Sequence, residues 1–220
     1  MLIEWYGHAC FRLKLTNGLK ITIDPFDETV GFPQPHIETD IALISHHHFD
    51  HSCADSLTGN YEIIDKPGEY EKGGIKISGV KTFHDKKKGA LRGENIIFKI
   101  QAEGLIICHL GDLCEEITDE LVRKIGHADV LMVPVGGVYT INAEEAVSLI
   151  DKLEPNIALP MHYRINQSNI PVDSIHSLIE QATGVFDVSK SGKNYLDISK
   201  QKLKKRTRII ILNTPLVDHT

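Results

Sequence analysis

Apolar and polar positions alternate with a period of two through much of this chain, the signature of half-buried strands, and shift to a helical period only past its midpoint. Alternating or short continuous apolar runs predict strands at 2–6, 10–15, 19–23, 41–45, 61–64, 75–83, 95–101, 104–110, 129–135, 157–160, 194–198 and 208–212. Asn17-Gly18 between two alternating runs predicts a hairpin turn. Three helices are expected. Thr118 caps a short one that stops at Gly126, and Asn142 caps Ala143 to Leu153, with Glu144 and Glu145 in the first turn and Pro155 just beyond. Pro171 is expected to open the third, which runs to about Gln181 before Gly184. Strands first, then strands mixed with helices, point to an α+β fold: two packed sheets with helices on their outer faces. No Pro-, Gly- or Ser-rich linker divides the chain, so residues 1–220 are read as a single domain, with 188–220 as an extension adding one strand.

Composition changes this picture little. With 220 residues, 41% hydrophobic and 25% charged, the chain can bury a sizeable core. No apolar stretch is long enough to span a bilayer, and the first residues carry no basic segment followed by an apolar one, so a cytoplasmic protein is expected. Cys10, Cys53, Cys108 and Cys114 form no C-x-x-C pair and are expected as free thiols. A formal charge of −6 argues against a general nucleic-acid coat.

The chemistry is concentrated in Ser45-His46-His47-His48-Phe49-Asp50-His51, which follows the apolar run 41–44. Imidazole and carboxylate suit borderline metals such as zinc. Four such groups (His46, His48, Asp50, His51) within six residues exceed what one tetrahedral ion takes from a single loop, so two ions side by side are expected. An expression tag would sit at a terminus, and this cluster does not. His84, Asp112 and His162 likewise follow apolar strands, and strands that end on one edge of a sandwich deliver such residues to one surface. His47 is expected to point away, Cys53 to be a small buried group, and His36, His127, His176 and His219 have no partner pattern.

The H-x-H-x-D-H loop, the later His84, Gly111-Asp112 after a strand and Pro160-Met161-His162-Tyr163 resemble the metallo-β-lactamase-fold hydrolase superfamily. The opening Trp5-Tyr6-Gly7-His8-Ala9-Cys10-Phe11 and Ile23-Asp24-Pro25-Phe26 are similar to its β-lactamase-like branch, related to the ascorbate-phosphate lactonase and N-acyl-phosphatidylethanolamine phospholipase D types. That resemblance implies an αββα four-layer sandwich of two mixed sheets. It further implies that His46, His48 and His84 hold one metal ion, that Asp50, His51 and His162 hold a second, and that Asp112 bridges them. His109 competes with His84 for the first site. Alternation places His109 inside a strand, and His84 has the superfamily's spacing to Asp112, so His84 is favoured. His8 and Asp24 are expected either to orient ligand imidazoles or to serve in turns.

Two divalent ions about 3.5–4 Å apart can share a water and lower its pKa to near neutral. The resulting expectation is a hydrolase in which a dinuclear centre supplies the hydroxide nucleophile, with Asp112 and Asp50 as the catalytic carboxylates. Zinc is the favoured metal, with manganese, iron and nickel compatible. No Ser or Cys nucleophile pattern stands out. Lys86, Lys87, Lys88, Arg92 and Arg164 flank the ligands, and their field favours a small anionic ester, lactone or phosphodiester. The alternatives are a nuclease using the basic 200–208 segment, a metal- or ligand-sensing protein without turnover, and an oxygen-reducing di-iron centre, which would prefer a carboxylate where His48 stands.

Overall fold

The first two apolar runs fold back on each other as β1 (Leu2–Gly7) and β2 (Cys10–Lys14), and the Asn17-Gly18 turn returns the chain antiparallel as β3 (Lys20–Ile23). The computed structural model describes residues 1–165 and 168–214. Next come β4 (Ile37–Glu38), β5 (Ile41–Leu43), β6 (Leu57–Thr58), β7 (Glu62–Ile64), β8 (Gly68–Lys72), β9 (Ile75–Phe83), β10 (Glu94–Ala102) and β11 (Leu105–His109). The remainder is α1 (Asp119–Ile125), β12 (Val130–Pro134), α2 (Ala143–Leu153), β13 (Ile157–Met161), α3 (Ile175–Ala182), β14 (Asp187–Lys190), β15 (Tyr195–Asp197) and β16 (Arg208–Ile211).

Two mixed sheets result. One has six strands in the order β15-β1-β2-β3-β5-β7 and the other eight in the order β14-β16-β13-β12-β11-β10-β9-β8; β4 and β6 pair separately. Ile3, Trp5, Phe11, Leu13, Ile41 and Leu43 of the smaller sheet share one buried cluster with Ile77, Phe98, Ile107 and Leu131 of the larger. The helices add Leu121, Leu149, Ile150 and Leu178 to that cluster. β12 and β13 are buried at every position, as parallel strands covered on both faces must be. Cys10 and Ala42 point the other way from the smaller sheet, into a second cluster with Phe26, Val30, Phe32, Ile37 and Leu57. That face is covered by loops and the 3-10 turns Glu28–Val30 and Ala54–Ser56, while α1, α2 and α3 pack as one layer. The architecture is the expected α+β sandwich, with its fourth layer built of short turns.

Two helix caps are those the sequence names. Thr118 Oγ1 accepts from the Leu121 amide, and Asn142 forms a reciprocal box with Glu145. The third helix starts later than expected, after Ser174 rather than at Pro171. The backbone ahead of it is already committed: Asp173 N donates to Gly136 O, and Arg164 N donates to Asp173 O. Residues 171–174 therefore run as an extended strap against the β12–α2 loop. The C-terminal segment forms the strands expected near 194–198 and 208–212, as β15 and β16, and adds β14, which the sequence did not signal. β16 inserts between β13 and β14, and β15 crosses to pair with β1. β14 (DVSK) and β8 (GEYEK) are polar edge strands, which need no apolar alternation and so leave no hydrophobic signal.

β9, β11, β12 and β13 all run in one direction, because antiparallel β10 separates β9 from β11. Their C-terminal ends share one edge. The residues following β9, β11 and β13 (His84, Asp112 and His162) meet there the loop that follows β5.

Candidate metal centre

Three groups of side chains bring potential ligand atoms within 4.8 Å of one another: His46, His48 and His84; His46, His51 and Asp112; and His8, Asp50, His51 and His162. All seven residues singled out as ligands in the sequence thus converge, and His8 joins them. Asp112 sits at the centre. Its Oδ1 lies 3.3 Å from His51 Nε2, and its Oδ2 lies 3.4 Å from His84 Nε2 and 3.1 Å from His162 Nε2. His51 Nε2 is also 3.7 Å from Asp50 Oδ2, which accepts a contact at 3.1 Å from His8 Nε2.

The surrounding hydrogen bonds fix which nitrogen each ring presents. Asp24, wholly buried, accepts from Ser45 N and Ser45 Oγ at 2.7 Å each and from His51 Nδ1 at 3.0 Å. Because Ser45 Oγ spends its proton on Asp24, it accepts from His46 Nδ1 at 2.9 Å. Both rings therefore keep a lone pair on Nε2 when a cation faces them. Those Nε2 atoms are buried without a hydrogen-bond partner, as are His162 Nε2 and Asp112 Oδ1. Buried polar atoms seldom go unpaired, and a cluster of converging lone pairs is satisfied by a cation. The donor set of imidazoles and carboxylates fits divalent ions.

Charge supports the same conclusion. Burial and the neighbouring His51 hold the His46 pKa well below its ordinary 6.5, so the ring is neutral and ready to ligate. Burial also disfavours charge on His51, yet Asp112 and Asp50 outweigh it and raise that pKa well above 6.5. Asp112 resists burial in the same way, held ionised by His162 and His51. The buried carboxylates thus favour positive charge nearby, which a divalent ion would supply in place of the His51 proton.

Asp112 is placed by a side chain that the sequence did not reveal. Asn95 Oδ1 accepts from Asp112 N at 2.9 Å, while Asn95 Nδ2 donates to Thr82 Oγ1 at 2.8 Å and to Leu110 O at 2.9 Å. Asn95 fits there because Gly111, at φ 55°, has no Cβ: one would stand 2.2 Å from Asn95 Oδ1. Gly136 makes a similar close approach, since a Cβ would lie 2.0 Å from His162 O. The Pro134–Gly137 loop is thus a close-approach loop against β13. His8, Asp24 and His162 themselves occupy left-handed backbone, at φ 51°, 49° and 53°, a strain of the kind that collects at functional sites.

Both nitrogens of His109 are engaged: Nε2 with Ala9 O at 2.9 Å and Nδ1 with the Gly111 amide at 3.1 Å. His84, with a buried unpartnered Nδ1, stands among the candidate ligands instead. His47 points outward to Asp65, and Cys108 and Leu110 are core. Cys53 is half-buried rather than buried, 3.5 Å from Gln34 Nε2, because it borders the turn whose backbone meets Pro25. His36 is exposed, His127 pairs with Asp129, His176 lies beside Ser174, and His219 lies outside the described residues.

A cavity of about 650 Å³ opens onto the centre, with His48, His84, Asp50 and Asp112 on its floor and Phe49, Arg92, Tyr139 and Ile170 among its walls. The expected basic surround is corrected here. Lys86 is taken by Glu145, Lys86 to Lys88 line separate clefts, and Arg164 is exposed away from this cavity, so only Arg92 of that group reaches it. The reason is Asp85, whose carboxylate gathers the amides of Lys87, Gly89, Leu91 and Arg92 and curls the lysines outward.

The sandwich, with a His/Asp cluster at the shared strand edge, defines a metal-dependent hydrolase. Residues 2–162 match the family described as the beta-lactamase superfamily domain. The chain belongs to the metallo-β-lactamase superfamily of metal-dependent hydrolases. It is 32% identical over 188 residues to a UPF0173 protein of Pyrococcus abyssi, an alignment covering 74% of this chain and 83% of that one. A UPF0173 metal-dependent hydrolase of Methanopyrus kandleri is 25% identical over 194 residues, covering 74% and 84%. Among solved structures, a candidate zinc-dependent hydrolase of the superfamily from Thermotoga maritima is 36% identical, with a TM-score of 0.77 over 96% of this chain and 98% of that one. No helix among the described residues is long and apolar enough to cross a membrane.

Proposed function

We propose that the protein hydrolyses a small anionic ester, lactone or phosphodiester at a centre of two divalent ions, zinc being the first choice. His46, His48 and His84 would hold one ion and Asp50, His51 and His162 the other, with Asp112 between them. The observation that carries this reading is the convergence of unpartnered lone pairs on His46, His51, His162 and Asp112 in one buried cluster. When bound, paired ions supply Lewis-acid polarisation and a water acidic enough to ionise near neutral pH. Asp112, with its amide pinned by Asn95, can orient that water and accept its proton at a carboxylate oxygen. Asp24 and Ser45 hold the rings of His51 and His46 so that neither must reorient. The cavity's size suits a small molecule rather than a polymer, and the net charge of −6 disfavours nucleic acid. The free cysteines fit a reducing cytoplasm.

Elemental analysis of untagged protein purified without chelator tests the centre, followed by a screen of lactones, carboxylic esters and phosphodiesters. About two ions per chain and chelator-sensitive turnover are expected. A chain that takes up no ion after reloading at neutral pH would overturn the proposal.

A further inference from the structure

Arg92 is the sole Lys or Arg on the walls of the cavity over the metal centre among the described residues. Its guanidinium lies 5.0 Å from the centroid of the Tyr139 ring, and no carboxylate of the described residues pairs with it. Its backbone is fixed: the Arg92 and Leu91 amides donate to Asp85 Oδ2 at 2.8 and 2.9 Å. The guanidinium lies over the Tyr139 ring, and its N–H groups have no hydrogen-bond partner among the described residues, so they are open to a planar oxyanion. By contrast, Lys86 on the same loop is paired with Glu145. Asp27, the wall carboxylate farther along the chain from the histidines, is engaged with Thr29.

Beside Arg92 and Asp27, the wall carries polar Thr29 and Asn169 and an apolar stretch of Phe49, Ile170 and Pro171. Phe49 is 54% exposed, and Ile170 and Pro171 come from the strap ahead of α3. An apolar stretch beside a single guanidinium orients an occupant that is apolar in its middle and anionic at one end. A monoanion matches the single guanidinium, whereas a phosphomonoester dianion would leave excess charge beside Asp27 and Asp50.

We propose that Arg92 is the specificity-determining contact of this cavity. It takes the terminal carboxylate of an ester or lactone whose apolar middle packs against Phe49 and Ile170. The role in turnover rests on the hydrolase reading above, whereas the binding preference does not.

The test uses a stable probe pair on metal-loaded full-length protein: adipic acid mono-4-nitroanilide and its terminal carboxamide, which differ only in the charged end. Titration calorimetry is expected to show the wild type binding the acid about tenfold or more tighter, the ratio set by ~1.4 kcal/mol. Arg92→Gln should bring that ratio close to one. Arg92→Lys should fall between, since lysine keeps the charge but loses the planar edge, and Lys86→Ser should leave the ratio unchanged. Metal content and Tm are followed for each variant to show that the fold and centre persist. The proposal is overturned if Arg92→Gln keeps the wild-type ratio, which would assign the anion to the metal centre. It is equally overturned if the wild type shows no preference or if both probes weaken together. Turnover of the corresponding nitrophenyl esters is read in parallel. No turnover with an Arg92-dependent ratio would count against hydrolysis and leave the binding role standing.

Discussion

Asp24 accepts a hydrogen bond from His51 Nδ1 at 3.0 Å, and both side chains are completely buried. A carboxylate behind a candidate metal-ligating imidazole sets the tautomer and raises the basicity of the nitrogen that faces the metal. The same carboxylate holds Ser45, and through it His46, so one buried charge holds two rings that between them enter all three ligand groups. Asp24→Asn keeps the volume but removes the charge. It is expected to weaken metal binding by about 10–100-fold, read by competition with a chromogenic chelator. Wild-type affinity in that variant would reduce Asp24 to a turn residue.

His84 follows β9 and His109 ends β11, on either side of β10, yet they have different surroundings, and substitution separates them. His84→Ala should lower the metal content by one ion per chain. His109→Ala should keep the wild-type content and lose stability instead, by about 1–3 kcal/mol, because Ala9 O and the Gly111 amide are left unpaired. Elemental analysis with urea unfolding checks both. Loss of an ion in His109→Ala alone would reverse the assignment.

Gly136 lets β12 run into its loop directly against the His162 carbonyl. Gly136→Ala places a methyl group where only 2.0 Å is available to that oxygen. The loop or His162 must move, at about 1–3 kcal/mol by analogy with overpacked cores. A Tm decrease of roughly 2 °C or more is expected, together with lower metal affinity, since His162 is displaced. An unchanged Tm would show that the loop relaxes freely.

Asp85 has its own pH signature. Burial works to raise its pKa, but the amides of Arg92, Leu91, Lys87 and Gly89 hold it down, from 3.8 to about 2. A carboxyl whose folded pKa is depressed stabilises the fold above its unfolded value and loses that contribution as pH falls through the folded one. Wild type should therefore exceed Asp85→Asn in stability by a constant margin above about pH 5, narrowing below pH 4 toward pH 2. Urea midpoints of metal-free protein across that range keep loss of ions out of the comparison. A margin that does not depend on pH would mean that shape rather than charge organises the loop.

Much of the site was legible because the candidate ligands sit at chain positions that local pattern exposes. The H-x-H-x-D-H run is contiguous, and His84, Asp112 and His162 each follow an apolar strand, so the strand ends alone marked them. Asn95 left no trace, because its role depends on contact with Gly111 and Asp112 across neighbouring strands. His8 was noticed for its motif, but its place against Asp50 comes from the β1–β2 turn meeting the loop after β5, strands of the same sheet that are not neighbours. The basic loop misled for a similar reason: charge counted along the chain says nothing of direction, and Asp85 turns the lysines away.

By itself the sequence determined the two-sheet sandwich, the caps of α1 and α2 and the candidate ligand set, because periodicity, capping and strand-end placement are short-range properties of the chain. Tertiary structure decided the rest. β16 enters the sheet between β13 and β14, β15 leaves for the other sheet, and the strap over 171–174 takes the place of a helical turn. These outcomes depend on which backbone groups find partners far away in sequence, and no local pattern encodes that choice.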